Sequence, residues 1–472
     1  MKPHFLVVAL VCAASCSAPS MNSDAGTGGG AATGGGGGTT GGGGAATGGG
    51  STTGGGAATG GGVATGGGGA TGGGATGGGG STSAIEIAVW TDAPGACPGG
   101  TTQKDITTIA QLQDATRHEG AYASDAPDTC YLIHDGTYVQ NGSTLAAFIK
   151  TGGTDSTHRR LFVGQSRTGV IIRGRATIDA AASHVRLSNV TFDLTGFAQS
   201  GSFNTLSMLT GSTDLRIDHV TFTGDCATGA NGGHVEIDGA TDVVVEDCLI
   251  EKFGRCGPTG HQDHGVYLAS GSNLTLRNND IRLNASRGIQ LNTEGGSFGT
   301  LDTITIERNR IHDNGHADYE DGIVMNATGT GTISNVNVTH NLIYANYYSG
   351  LREVGDQFVS VAVSKNTFVR NGAASSANGR SELNLDDVGS GANTAITRNV
   401  IVAVNKVLND CYDATARSYV LSDAVVQGAV PTGTAGACVS NIVTIDPRFV
   451  NASTFDFHTQ SPAASLFGAY TP

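Results

Sequence analysis

The sequence predicts an all-β solenoid of stacked strand repeats, preceded by a disordered glycine-rich tether. Two observations lead to this prediction. One short apolar pattern recurs eight times between residues 187 and 401. Residues 21–80 hold 33 of the 75 glycines in the 472-residue chain, so the remainder has an ordinary glycine content. Residues 27–80 are almost wholly Gly, Ala and Thr and lack the apolar side chains that offset chain entropy.

Each copy of the repeat has an apolar residue at both ends, five positions apart. The spacing between the closing residues varies from 25 to 33, which is too variable for a helical repeat of fixed length. Variable loops on a constant frame of strands fit this spacing. With degenerate copies between residues 131 and 172, we expect about nine to eleven coils. The eight copies are residues 187–192, 217–222, 245–250, 276–281, 306–311, 338–343, 363–368 and 396–401.

Five consecutive copies carry asparagine two residues before the closing apolar position. Stacked asparagines can hydrogen-bond from coil to coil and tolerate the left-handed backbone of a tight turn, so this column predicts an asparagine ladder. Cys248 stands in the same column one coil earlier and is expected to be a buried thiol. The five asparagines are Asn279, Asn309, Asn341, Asn366 and Asn399.

A second strand follows in most coils, as at residues 266–268, 289–291, 323–325 and 383–385. Apolar residues there flank one outward residue, and this period of two is typical of a strand. Stacking of successive coils, about 4.8 Å apart, places the outward residues in one column. That column contains Glu236, Tyr267, Gln290, Val324, Arg352 and Asn384.

The motif Asn-x-Ile followed by Gly-Ile-x-Leu, as at residues 279–281 and 288–291, resembles the right-handed parallel β-helix superfamily typified by pectate lyases. The resemblance covers roughly residues 129–446. It implies a right-handed parallel β-helix with an N-terminal cap and first coils at 84–168, repeats at 169–404 and a C-terminal cap at 405–472. Members include polysaccharide lyases, uronate epimerases, glycoside hydrolases and proteins of no known activity, so the motif indicates fold more than chemistry.

The N-terminus has a basic Lys2 and an apolar stretch at 5–14 that is too short to span a bilayer. Residues 13–16, Ala-Ala-Ser-Cys, resemble a bacterial lipobox. This implies a signal peptide at 1–15, a lipid on Cys16, a linker at 16–83 and an outer-membrane lipoprotein at the cell surface. The alternative is a plain signal peptide cut near Ala18. Membrane contact is expected only through the lipid anchor, and a monomer is expected.

Cell-surface exposure permits disulfides. Cys226 and Cys256 follow the closing residues of neighbouring coils, so their loops should be adjacent. Two further pairs would hold the ends of the solenoid, and metal binding is the competing interpretation. These two pairs are Cys97 with Cys130, and Cys411 with Cys438.

The charge of the chain is −14, from 26 basic and 40 acidic residues. This balance argues against nucleic acid as a partner. An acidic polysaccharide remains compatible with it where local arginines or a bound cation offset the repulsion.

Candidate chemistry concentrates where the second strands begin. His264 and Arg287 directly precede glycines in successive coils, and Tyr267 lies three residues beyond His264. Removing the proton α to a uronate carboxylate needs a base, a cation for the enolate and an acid for the leaving oxygen. We therefore predict that these three residues share a solvent-facing patch and are catalytic. The predicted substrate-binding residues are His261, Gln290, Tyr319 and Arg352.

A calcium site is also predicted, because carboxylates are the preferred ligands of Ca²⁺ and several members of the superfamily use it. The expected ligands are Asp263, Asp318, Glu320 and Asp321. Zinc held by His261 and His264 is an alternative.

The favoured function is a polysaccharide lyase acting on a uronate-containing polysaccharide. Non-catalytic polysaccharide binding or adhesion, uronate epimerisation and glycoside hydrolysis remain open. Mannuronan epimerases of this fold carry an Asp-Pro-His segment ahead of the strand that matches 264–266, and that segment is absent here.

Overall fold

The computed structural model describes residues 95–142, 144–196, 204–225, 234–254, 263–293, 299–317, 320–328, 330–376, 379–386, 394–409, 420–429 and 438–470. The predicted signal peptide, Cys16 and tether lie outside this part of the chain. The described residues form a parallel β-solenoid of about 9 turns, at the lower end of the predicted range. No helix in these segments is long and apolar enough to cross a membrane.

Three parallel sheets form the solenoid, and in all but the terminal turns the chain passes through sheet 1, sheet 2 and sheet 3 in that order. Sheet 1 contains Gln103–Ile106, Cys130–Ile133, Arg160–Gly164, Val185–Ser188, Thr213–Asp218, the second halves of Val235–Glu246 and Val266–Arg277, Leu301–Glu307, Ile333–Thr339, Phe358–Ser364, Thr394–Thr397 and the first parts of Val420–Gln427 and Val439–Thr444. Sheet 2 contains Gly136–Val139, Val170–Arg173, Thr191–Asp193, Thr221–Thr223, Leu249–Glu251, Asp280–Arg282, Arg310–His312, Leu342–Tyr344, Thr367–Val369, Val400–Val402 and the last parts of Val420–Gln427 and Val439–Thr444. Sheet 3 contains Ala147–Ile149, Ala176–Ile178, Leu206–Leu209, the first halves of Val235–Glu246 and Val266–Arg277, Ile289–Asn292, Ile323–Ala327, Ser349–Gly355, Ser381–Asp386 and Lys406–Asn409.

The interior is a continuous apolar core because alternate residues of every strand point inward. Identical positions of successive coils stack, so like side chains pack on like. Tyr131 stacks on Phe162 and Phe192 on Phe222, with ring centroids 5.0 Å and 5.4 Å apart.

The predicted asparagine ladder is confirmed. The side-chain amide of Asn279 donates to Oδ1 of Asn309 at 3.0 Å, and the same bond repeats through Asn341, Asn366 and Asn399. Cys248 is the buried free thiol that its column predicts, and its backbone N–H donates to Oδ1 of Asn279.

The left-handed residue of this turn is the one before the ladder asparagine, not the asparagine as the sequence suggested. Asn278, Arg308 and His340, for example, have φ of 54°, 54° and 56°. A single left-handed residue turns the chain from sheet 1 to sheet 2, and the following asparagine keeps an ordinary backbone while its side chain points inward.

A second asparagine ladder, which the sequence analysis missed, stands at the turn after sheet 2. The side-chain amides of Asn284 and Asn314 donate to Oδ1 of the asparagine one coil further at 2.9 Å and 3.0 Å, and Asn346 continues the row to Asn371 at 2.9 Å. Asn371 then donates to the carboxylate of Glu382, which ends the row. Each member follows a member of the first ladder by five residues.

The glycines that open the sheet 3 strands stand where two coils approach closely beside this second ladder. A Cβ on Gly288 would lie 2.6 Å from the carbonyl oxygen of Gly322, 2.7 Å from a methyl of Ile311 and 2.9 Å from Nδ2 of Asn314. Gly265, Gly322 and Gly350 have equivalent contacts, so glycine is required here for space.

Replacing Gly288 with alanine is therefore expected to lower the free energy of unfolding by roughly 1–3 kcal/mol, because the backbone that the methyl meets cannot move aside. Urea unfolding measures the change. Gly99→Ala is the matched control, since a Cβ there meets nothing within 4 Å. Equal stability of the two variants would show that the coils separate at this turn without cost.

Glu353 is a carboxylic acid inside the solenoid. Glu353 is fully buried between Met325 and Leu385 of the adjacent coils, and the hydroxyl of Thr394 donates to its two oxygens at 3.1 Å and 3.2 Å. Burial raises the pKa of Glu353 from 4.5 to about 7. The ionised form is thus the unfavourable one in the folded chain.

Because the folded-state pKa is raised, Glu353 does not lower the free energy of unfolding below about pH 4.5, where it is protonated in both states. Between about pH 4.5 and 7 the free energy of unfolding falls as the pH rises. Glu353→Gln removes the charge and keeps a side chain that Thr394 can bond. We expect the wild type to lose about 3 kcal/mol more stability than this variant between pH 4.5 and 8. Denaturant unfolding across this range tests it. Glu119→Gln, at an exposed carboxylate paired with Lys150, should follow the wild type, and a parallel Glu353→Gln profile would contradict the prediction.

The N-terminal end is closed by the helix Ile109–Arg117 and a 3₁₀ turn at Gly120–Tyr122. Thr108 and Gln111 form a capping box, and Leu112 and Ala115 join the core. The predicted Cys97–Cys130 disulfide is present. Cys438 is also disulfide-bonded, while its predicted partner Cys411, like Cys226 and Cys256, lies outside the described residues.

The C-terminal segment lies along the outer face of sheet 2. Phe449–Asn451 and Asp456–Thr459 form an antiparallel pair joined by a 3₁₀ turn at Ala452–Thr454. Phe457 packs against Tyr344, and the backbone N–H of Ala469 donates to the hydroxyl of Thr367 at 2.9 Å. The segment therefore covers the outer face of sheet 2 and does not cover the outer face of sheet 3.

Candidate functional site

The outward face of sheet 3 carries the candidate site. Register pairs Glu236 with Tyr267, Tyr267 with Gln290, Gln290 with Val324 and Val324 with Arg352, which confirms the predicted column. The residues that precede the glycines stand beside it. We call the resulting row the sheet 3 strip, and it consists of His234, His264, Tyr267, Arg287, Gln290, Asp321 and Arg352.

One end of the strip is an aromatic and imidazole cluster. The rings of His264 and Tyr267 stack with centroids 5.6 Å apart, and His234 lies 5.9 Å from His264 and 5.2 Å from Tyr267. Burial, the charge of Arg287 and the proximity of His234 hold the pKa of His264 well below its usual range. His264 is therefore neutral near pH 7, and its buried Nδ1 has no hydrogen-bond partner among the described residues.

The centre of the strip is organised by Gln290. Nη1 of Arg287 donates to Oε1 of Gln290 at 2.8 Å, and Gln290 also hydrogen-bonds to His264. Nδ2 of Asn292 donates to the hydroxyl oxygen of Tyr267 at 2.8 Å. Side chains from two successive coils thus fix the guanidinium, the imidazole and the phenol relative to one another.

The other end of the strip is a buried ion pair. The carboxylate of Asp321 is fully buried, with Oδ2 3.6 Å from Nη1 of Arg352. Burial raises the pKa of Asp321 to about 6, against the opposing effect of Arg352, Arg287 and Ser349. Neither oxygen receives a hydrogen bond of good geometry within the described residues, so both can still accept hydrogen bonds from a ligand.

His264, Tyr267 and Arg287 share one patch as predicted, but the expectation that the patch faces solvent is wrong for much of it. His264 is 3% exposed and Gln290 5%, while Tyr267 and Arg287 are partly exposed. The outward face of a strand predicts solvent only where no other part of the chain covers it, and a repeat pattern carries no information on such cover.

The predicted calcium ligands do not converge within the described residues, and no group of three His, Cys, Asp or Glu side chains there is arranged to hold a metal ion. The carboxylate of Glu320 accepts the backbone N–H groups of His316 and Ala317, both at 2.7 Å. Asp321 instead approaches Arg352. The two carboxylates thus have separate partners, the loop for Glu320 and an arginine for Asp321, which sequence proximity alone does not show.

Several predicted residues cannot be placed. His261, Tyr319 and Asp318 lie outside the described residues. Asp263 is buried, and its backbone carbonyl accepts the N–H of Ser286 at 3.1 Å. The zinc alternative, which paired His261 with His264, therefore has one described member.

Two members of the site were missed in the sequence. His234 precedes Val235, which pairs with Val266, so aligning these strands would have placed His234 opposite Gly265, the residue that follows His264. Asn292 ends the strand Ile289–Asn292, and its bond to Tyr267 depends on a side-chain rotamer that no pattern reveals.

Comparison with known proteins agrees with the fold. Residues 168–371 match the family model described as the right handed beta helix region. No curated protein matches the sequence.

Three solved structures illustrate the structural similarities. A rhamnogalacturonan lyase is 12% identical, with 76% of this chain and 94% of that chain covered and a TM-score of 0.43. A mannuronic acid specific family 6 polysaccharide lyase from human gut microbiota is 13% identical, covering 73% and 92%, with a TM-score of 0.42. The A-module of a mannuronan C-5 epimerase from Azotobacter vinelandii is 15% identical, covering 72% and 95%, with a TM-score of 0.43.

At these identities and TM-scores the solved structures say nothing about the reaction of this chain. The fold rests on the three stacked parallel sheets, the asparagine ladders and the family-model match. On these grounds the described part of the chain is a parallel β-solenoid, and its residues 168–371 are similar to the right handed beta helix family.

Proposed function

We propose that the chain is a polysaccharide lyase that acts on a uronate-containing polysaccharide at the sheet 3 strip. The observation that carries the proposal is the order of groups along the strip. Two arginines flank the buried Asp321, and the stacked His264 and Tyr267 lie next to Arg287. A uronate needs this combination of a cation for its carboxylate and proton-transfer groups beside it.

Arg287 would bind the substrate carboxylate and stabilise the enolate that forms from it. Charge developing on a carboxylate is stabilised most strongly by donors held in place before the reaction, and Gln290 holds the Arg287 guanidinium at 2.8 Å. Arg352, one coil beyond Val324, would extend the same recognition to the neighbouring sugar.

His264 would accept the proton α to the carboxylate, because its lowered pKa keeps it neutral at ordinary pH. Tyr267 would donate a proton to the leaving glycosidic oxygen, since it stands beside His264 and Asn292 holds its phenol oxygen in place. The C–H and C–O bonds break, a C=C bond forms, and solvent returns the proton from His264 to Tyr267. No oxidant or reductant is needed.

Non-catalytic binding of the same polysaccharide is the second candidate, and one observation favours it. Burial, Arg287 and His234 together lower the pKa of His264, and a lower pKa makes the imidazole a weaker base. The strip would then recognise the uronate without removing its proton.

The test is incubation of the purified chain with polygalacturonate, alginate and glycosaminoglycans while recording the ultraviolet absorbance of the unsaturated product. A rise for one polymer that is lost in Tyr267→Phe and His264→Gln supports the lyase. Binding of a polymer without any rise supports the second candidate. Absence of both binding and turnover across the panel removes the two proposals together.

A further inference from the structure

A cavity of about 520 Å³ lies on the side of the solenoid, between sheet 2 and the C-terminal segment. It belongs to a different sheet from the strip and shares no residue with it. Cavities of this size are within the usual range for small-ligand sites. Its walls are formed by Tyr344, Ala345, Val369, Arg370, Ala373, Ala452, Ser453, Phe455 and Phe457.

An aromatic stack forms one wall of the cavity. Phe455 stacks on Tyr344 with centroids 5.0 Å apart, and Tyr344 stacks on His312 at 4.5 Å and 7°. His312 is held in turn by Asp280 at 2.9 Å and Asp313 at 2.6 Å. The base of the stack is therefore fixed, and Phe455 is its outermost ring.

Phe455 carries two unfavourable features at once. The residue is 46% exposed, and its backbone lies in the left-handed region at φ 60°. Left-handed backbone costs a bulky L-residue about 1–2 kcal/mol, and exposing an aromatic ring forgoes the stabilisation of burial. Left-handed residues also stand at many turns of the solenoid, so it is the exposed aromatic face beside the cavity that makes the ring a candidate platform for a ligand.

The charge of the cavity is the reverse of the charge of the chain. The chain carries −14, yet no acidic residue lines the cavity and its one charged lining residue is Arg370. Arg370 is exposed and makes no ion pair within the described part of the chain. The ligand that fits has an apolar face for Phe455 and an anionic group for Arg370.

We propose that this cavity is a second carbohydrate site, which binds a single acidic sugar residue of the polysaccharide. One face of a pyranose ring exposes C–H groups that pack flat on an aromatic ring, and the uronate carboxylate would pair with Arg370. The inference rests on the substrate class of the proposed function and is independent of turnover. Two sites on one chain would raise its avidity for a long polymer.

Native gel electrophoresis through gels that contain polygalacturonate or alginate tests the site, with dextran gels as the neutral comparison. The parent protein is Arg287→Ala, in which the strip is weakened. Phe455→Ala and Arg370→Gln in this parent are each expected to weaken retardation by the acidic polymer at least about fivefold. Arg370→Gln is expected to leave the packing of the C-terminal segment unchanged. It therefore still tests the site if Phe455→Ala disturbs the folding of that segment. Leu466→Ala is the control, since Leu466 is 71% exposed on the same segment and lies outside the cavity.

The inference would be overturned if the acidic polymer retarded the parent, Phe455→Ala and Arg370→Gln equally. It would also be overturned if dextran retarded the parent as strongly as the acidic polymers do, or if neither acidic polymer retarded the parent. Loss of the proposed lyase function has a different signature. A wild type that forms no unsaturated product, but whose retardation depends on Phe455 and Arg370, would remove the lyase and support the second site. Short soluble uronates should be turned over equally by the wild type and by Phe455→Ala in the wild-type background.

Discussion

Replacing Asn309 with leucine is expected to lower the free energy of unfolding by at least about 4 kcal/mol. Asn309 accepts the backbone N–H and the side-chain amide of Asn279 at 2.9 Å and 3.0 Å. Its own amide donates to the carbonyl of Leu276 at 2.9 Å and to Oδ1 of Asn341 at 3.0 Å. Leucine has nearly the same shape and would leave all of these buried groups without their partner.

The size of the effect follows from burial. Each buried polar group that loses its hydrogen bond costs about 1–3 kcal/mol, because neither water nor a new neighbour can replace the bond. Asn309 is the second of the five asparagines, has a ladder neighbour on each side and is 1% exposed. A variant at this position should therefore affect the coils on both sides of the turn.

Urea unfolding followed by circular dichroism measures the change. Asn337→Leu is the control, because Asn337 is an exposed residue on the outer face of sheet 1 in the next coil. Exposed substitutions usually alter stability by less than about 0.5 kcal/mol. If Asn309→Leu were as stable as Asn337→Leu, the ladder would be a consequence of the fold and not a contributor to its stability.

The first ladder was readable in the sequence because the asparagines occupy one place in a repeat whose apolar ends mark the register. The second ladder was equally readable in principle. Asn284, Asn314, Asn346 and Asn371 each follow the first row by five residues, but they stand in the loops where coil lengths vary. Its termination by Glu382, whose pKa burial raises to about 8, was not readable, since 11 residues separate Glu382 from Asn371.

Glu353 shows where pattern reading fails. The alternation of the strand predicts that Glu353 points into the core, whereas its charged side chain predicts that it points to solvent. The two criteria conflict, and only the register with Met325 and Leu385 decides between them. Residues that break the pattern in this way are the ones whose energetics depend most on the fold.

The candidate site was predictable as a set of neighbours and not as a chemical environment. Coil stacking fixed which residues adjoin, so Tyr267, Gln290 and Arg352 fall in one column as expected. The pairing of Asp321 with Arg352 depends on side-chain conformations and on cover from elsewhere in the chain. For that reason Asp321 was assigned to a metal in the sequence and is found beside an arginine.

Replacing Arg287 with alanine is expected to reduce kcat/KM on the uronate polymer at least about 100-fold while changing stability little. The guanidinium is partly exposed and is held by Gln290, so it contributes little to folding. Its expected role is to stabilise the negative charge that grows on the substrate carboxylate as the proton leaves.

The split between kcat and KM tells these two contributions apart. An arginine that stabilises the enolate should lower kcat and kcat/KM together, whereas one that only binds the ground state should raise KM and leave kcat unchanged. Arg287→Lys keeps the charge without the planar fork, so it should retain an intermediate activity. Arg308→Ala is the matched control, since Arg308 is 44% exposed, pairs with Glu307 and lies outside the strip.

Turnover by initial rates and stability by thermal unfolding are measured on the same preparations. A loss of stability in Arg287→Ala with unchanged kcat/KM would make the residue structural, because its charge would then serve the coil packing and not the enolate. Unchanged stability with a purely KM effect would leave Arg287 as a binding residue and transfer the stabilisation of the enolate to Arg352, whose contact with Asp321 would then have to open when the substrate binds.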